Sequence, residues 1–101
     1  MTAALSLSDD EAALVRAILA RHLPPGVQAS VFGSRARGTA KPWSDLDLAL
    51  SGEAPLPLSL LAALAEEFDE SALPWKVDLV DRLTVSEAFG RIIDADAIAL
   101  G

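Results

Sequence analysis

The chain has 101 residues, 51% of them hydrophobic, a formal net charge of −7 and no cysteine. That length suits one domain (residues 1–101) with a modest core, and the apolar share excludes a disordered chain. The lack of cysteine excludes a disulfide framework or thiolate metal site, and no apolar stretch is long enough to span a bilayer.

The N-terminal stretch MTAALSLSDDEAALVRAILARHL has no basic leader and turns acidic early, which reads as a cytoplasmic protein. Ser8-Asp9-Asp10-Glu11 forms a capping box, with acids in the first turn that suit the helix dipole. Leu14, Val15, Ile18, Leu19 and His22 recur at helical spacing, and the helix ends before Pro24-Pro25-Gly26. His22 reads as a cap of that end. Val27 to Phe32 is a short strand, broken by Gly33. Ser34 to Arg37 starts a short helix stopped by Gly38, and Thr39 to Ser44 is a loop holding Pro42.

Asp45 to Ser51 is the second strand. Asp45, Asp47 and Ala49 fall on one face and Leu46, Leu48 and Leu50 on the other. After the Gly52 to Pro57 connection, Leu58 to Ser71 is a helix burying Leu60, Leu61, Leu64 and Phe68, with Glu66 to Glu70 as a solvated face. Trp75 to Asp81 is a third strand. Thr84-Val85-Ser86-Glu87 offers a second capping box opening a helix to about Ile93, and Ala97 to Leu100 adds an edge strand. This order predicts an α/β or α+β fold: a small mixed sheet of three or four strands with helices packed against it. Strand direction and order stay open.

Two acids one residue apart on a strand point to the same side, and burying them is costly unless something positive sits between. A divalent metal carrying a phosphate-bearing ligand answers that need. Asp78 is the expected third carboxylate, because its neighbours Val77 and Leu79 are apolar. Asp81, three residues on, has the opposite parity. Gly33-Ser34 turns from strand to helix and exposes backbone N–H groups suited to phosphate oxygens. Arg37 or Arg35 is placed to neutralise a leaving pyrophosphate. Of the eight Lys and Arg, Arg35, Arg37 and Lys41 lie inside this run, so the positive charge suits a nucleotide better than a polynucleotide.

Gly33-Ser34, Gly38, Ser44-Asp45-Leu46-Asp47 and Val77-Asp78-Leu79-Val80 resemble the minimal nucleotidyltransferase family, a compact branch of the DNA polymerase β-like nucleotidyltransferases. The resemblance runs from about Val27 to Leu100 and implies the nucleotidyltransferase fold. It implies that Asp45, Asp47 and Asp78 bind Mg²⁺, as two ions, and that Gly33-Ser34 holds the triphosphate of ATP. It also implies an antitoxin that transfers AMP to a tyrosine of a HEPN-type ribonuclease toxin.

Two other readings stand beside this one. An antitoxin that blocks its toxin by contact alone would keep the motif only as a relic. A small-molecule (aminoglycoside-type) transferase would need a homo-oligomer, with the neighbouring copy completing the substrate wall. Trp43, flanking the acids, reads first as a loop aromatic covering the core and second as a stacking surface for adenine or a partner. Trp75 reads as packing.

Overall fold

A computed structural model describes residues 5–100 of the chain. The leader reading rests partly on residues 1–4, which lie outside the described ones. Ser8 caps helix α1 (Asp9–His22): its hydroxyl accepts from the Glu11 N–H at 3.0 Å and Glu11 Oε1 accepts from the Ser8 N–H at 2.9 Å. Such a cap stabilises a helix by about 1 kcal/mol. Strand β1 (Gln28–Phe32) leads into the short helix α2 (Ser34–Arg37), which stops at Gly38 in the left-handed region. Strand β2 (Leu46–Ser51), helix α3 (Leu58–Glu70), strand β3 (Val77–Asp81), helix α4 (Glu87–Asp96) and the two-residue strand β4 (Ile98–Ala99) complete the order.

The strands form one mixed sheet in the order β3-β2-β1-β4. β1 runs antiparallel to β2 and to β4, whereas β2 and β3 are parallel, joined by α3 as a crossover. A crossover with its own helix is what a parallel pair needs, so the helical stripe between Leu58 and Glu70 is the feature that makes the sheet mixed.

Strand alternation divides the core. One sheet face sends Val31, Leu46, Leu48 and Leu50, all fully buried, against Val15 and Ile18 of α1 and Leu64 and Phe68 of α3. Each such side chain contributes roughly 1.5–3 kcal/mol by leaving water. The other face carries Phe32 and Ala49, covered by Ile93 and Phe89 of α4, with Phe32 and Phe89 edge to face at 5.9 Å. Asp47 and Asp78 share this second face by parity. Because α4 is short, it covers only part of that face.

Three expectations need correction. Helix α4 is capped by Ser86, whose hydroxyl accepts from the Phe89 N–H at 3.1 Å; Thr84 instead donates its hydroxyl to the Asp81 carbonyl. His22 does not cap α1: its Nε2 lies 2.7 Å from Glu67 Oε1, and Arg21 also bonds Glu67, so both tie α1 to α3. Glu67 is therefore a half-buried partner rather than part of a purely solvated face. No helix among the described residues is long and apolar enough to cross a membrane.

Candidate active site

The site forms where β1 ends and β2 and β3 begin. In register, Asp47 lies opposite Phe32, the last residue of β1, and opposite Asp78 of β3. The two carboxylates thus come together across neighbouring strands on one face of the sheet. Asp45 sits just before β2 and is exposed, so the acid pair is not buried as a unit; only Asp47 is half-buried. Asp78 is also partly exposed, with its Oδ1 3.5 Å from the Lys76 ammonium.

Burial is the main cause that raises the Asp47 pKa above its ordinary value. The negative charges of Asp78 and Asp45 raise it further, and the Arg37 guanidinium offsets part of this. Asp47 therefore feels both other acids.

Gly33 explains how Asp47 fits. Its φ of 77° and ψ of −156° lie in a region essentially reserved for glycine. A Cβ built there would meet Asp47 Oδ2 at 2.5 Å. The Gly33 turn and the central acid are therefore in contact, across 14 positions of sequence (47 minus 33). Gly33 accepts from the N–H groups of Ala36 and Arg37 at 3.1 Å each, which starts α2 and turns Ser34 toward the same end of the sheet.

The two arginines separate. Arg37 is half-exposed and donates to Asp96 Oδ2 at 2.6 Å, close enough to Asp47 to act on its charge. Arg35 is 5% exposed and points away from any phosphate role. It donates to the carbonyls of Ser6 (2.8 Å) and Ser44 (2.8 and 3.1 Å), more weakly to those of Lys41 and Pro42, and lies 4.4 Å above the Trp75 ring. The expectation that Arg35 neutralises pyrophosphate is overturned: its hydrogen-bonding capacity is spent bracing the loop before Asp45. Trp75 is buried packing, as expected, whereas Trp43 is 72% exposed and covers no core.

Asp81 has a different job from Asp78. It is buried and accepts from the Leu56 N–H at 2.7 Å and the Leu83 N–H at 3.0 Å, tying down the connections at the far end of the strands. Lys76 and Asp96 are site neighbours that sequence reasoning missed. Lys76 was readable in principle, since it lies two residues before Asp78 on the same side of the strand. Asp96 comes from a distant helix and carried no signal.

Three carboxylates are a hard-oxygen donor set of the kind Mg²⁺ takes. Among the described residues, however, no group of three or more His, Cys, Asp or Glu side chains is gathered closely enough to hold a metal ion. The donor chemistry and the shared charge around Asp47 fit a divalent cation. The side chains would have to turn inward to ligate it.

A sheet of this topology, with a glycine turn against one acid and a second acid paired across to it, defines a nucleotidyl-transfer architecture. Residues 13–98 match the nucleotidyltransferase domain family, and the chain belongs to it. It is 47% identical over 91 residues, 90% of this chain and 79% of the relative, to a Haemophilus influenzae protein named "Probable protein adenylyltransferase MntA". Among solved structures it is similar to a toxin–antitoxin complex with AMP-PNP (TM-score 0.76, 25% identity, 89% of this chain and 72% of that one). It is also similar to a protein described as a minimal nucleotidyltransferase (TM-score 0.67, 31% identity, 88% of each chain).

Proposed function

We propose that this chain is a cytoplasmic antitoxin that transfers AMP from ATP to a hydroxyl, a tyrosine by family analogy, of a HEPN-type toxin and thereby silences it. The observation that carries the catalytic reading is the contact geometry at Asp47, which faces Asp78 across the sheet and Gly33 across the turn. The 47% identical relative, named as a protein adenylyltransferase, supports a protein acceptor, and the toxin–antitoxin structure with AMP-PNP supports ATP as donor.

The acceptor oxygen attacks the α-phosphorus of ATP, forming a new P–O bond. The bond from that phosphorus to the bridging oxygen breaks, and pyrophosphate leaves. Asp78 is the carboxylate assigned to draw the acceptor's proton. Ser34 and the amides after Gly33 hold the triphosphate tail, and Arg37 offsets charge on the leaving group. Asp45, Asp47 and Asp78 would hold Mg²⁺. When bound, Mg²⁺ offsets negative charge on the attacking and leaving oxygens.

The test mixes the protein with labelled ATP, Mg²⁺ and the toxin encoded beside it, and follows the toxin's mass. One or more AMP units are expected, with the rate in Asp47→Asn reduced about a hundredfold or more. Full neutralisation by Asp47→Asn without a mass change would overturn the reading in favour of inhibition by contact. Labelling of an aminoglycoside in place of the toxin would overturn it in favour of a small-molecule transferase.

A further inference from the structure

The segment between the glycine turn and the acids ends in a tight, doubly braced turn. The Lys41 carbonyl accepts from the Ser44 N–H at 3.0 Å, and the Ser44 hydroxyl accepts from the Lys41 N–H at 2.9 Å. Pro42 occupies the second position, where its fixed φ suits a turn. Beneath it, the buried Arg35 guanidinium reaches the carbonyls of Lys41, Pro42 and Ser44. Such a brace fixes the direction in which the turn presents its side chains, so Trp43 is held outward and does not fold back onto the core. Trp43 is 72% exposed and lies two residues from Asp45.

Charge adds a second, independent observation. Among the eight Lys and Arg, Arg16 and Arg35 are held by main-chain carbonyls and five others by carboxylates. Lys41 alone has neither kind of partner among the described residues; its ammonium only overlies the Trp43 ring at 5.8 Å. On a chain of net charge −7, one uncommitted cation beside one exposed indole is a local reversal of the surface character.

We infer that the Lys41–Ser44 turn is the docking knuckle for the acceptor protein, with Trp43 as its apolar anchor and Lys41 as its charge. This rests on the proposed transfer to a protein. The matching surface is an apolar pocket rimmed by carboxylates, next to the hydroxyl that receives AMP. Trp is over-represented among residues that carry interface energy. The Arg35 brace means little conformational freedom is lost when the knuckle is covered. An adenine base is the weaker occupant. An indole this exposed has no second wall opposite it, so a stacked base would stay open to water on its far face, whereas a protein surface encloses it.

The experiment measures transfer kinetics with the native protein, ATP, Mg²⁺ and the toxin. Trp43→Ala raises KM for the toxin about thirtyfold, leaves KM for ATP within about twofold of the native value, and is largely rescued by Trp43→Phe. Lys41→Glu lowers kcat/KM for the toxin in a manner that weakens with salt. In the native protein, adding toxin shifts tryptophan emission to the blue. In Trp43→Ala the shift is absent, because the remaining Trp75 is already buried. A raised KM for ATP with an unchanged KM for the toxin would overturn the inference and make Trp43 a base-stacking residue. Unchanged values for both would also overturn it. A native protein that labels no toxin would count against the proposed function instead, while the emission shift would still report docking at the knuckle.

Discussion

At the scale of single residues, Gly33 has two independent reasons to be glycine. Its backbone sits at φ 77°, ψ −156°, and its missing Cβ leaves the space that Asp47 Oδ2 fills. Gly33→Ala therefore meets both problems together. The strained backbone costs about 1–3 kcal/mol, read as a lower urea midpoint with an unchanged m-value. Displacing the Asp47 carboxylate also misaligns the reacting groups, and a shift of about 1 Å is worth roughly a hundredfold in rate. The expected outcome is a folded variant whose AMP transfer falls far more than its stability. A variant with native transfer would show that the Gly33–Asp47 contact has no catalytic role.

At the scale of elements, β3 sends two acids to opposite faces of the sheet. Asp78 faces Asp47 on the sheet face that α4 leaves open, whereas Asp81 turns inward and satisfies the amides of Leu56 and Leu83. Asp81→Ala leaves two donors unpaired at about 1–3 kcal/mol each, so it should lower the melting temperature while transfer per folded molecule stays native. Asp78→Asn should do the reverse, abolishing transfer with little effect on melting. Comparing the two variants by thermal melts and toxin labelling separates the roles. The opposite facing of the two acids was legible in the sequence because period-two alternation alone sets Asp78 and Asp81 on different sides. Parallel pairing of β2 with β3 was left open although the helix between them permits a crossover, since the hydrophobic pattern of a strand is the same in either direction. Arg35 was misread for a related reason. Its partners are main-chain carbonyls of a turn, which leave no side-chain signature, so a buried brace and a phosphate-facing arginine look alike in the motif. The cap of α4 was misplaced because Thr84 and Ser86 are both capping residues, and only the fold shows that the Thr84 hydroxyl is already used by Asp81.

At the scale of the whole molecule, a chain of net charge −7 gathers three carboxylates at one end of its sheet, and Asp47 bears the consequence. A carboxyl whose pKa is raised in the folded state binds its proton more readily there than in the unfolded chain. Its favourable contribution is present below the ordinary value of 3.8 and is lost as pH rises through the raised folded value. At neutral pH without metal it is a penalty. Asp47→Asn should therefore melt higher than the native protein at pH 7 in chelator, and the difference should shrink as the pH is lowered toward 3.8. Mg²⁺ reverses the order. A ligand that binds only the folded state adds about 2.7 kcal/mol at a hundredfold excess over its Kd, and about 4–8 °C of melting temperature per kcal/mol in a domain of this size. That gain should appear in the native protein with Mg²⁺ and ATP and be largely lost in Asp47→Asn. Differential scanning of both proteins, with chelator and with Mg²⁺ plus ATP, reads all four values. Equal Mg²⁺ shifts in the two proteins would place the cation away from Asp47. A native protein that is less stable than Asp47→Asn in chelator and more stable with Mg²⁺ would show that the cost of burying the Asp47 charge, with Asp78 and Asp45 nearby, is relieved by a bound cation.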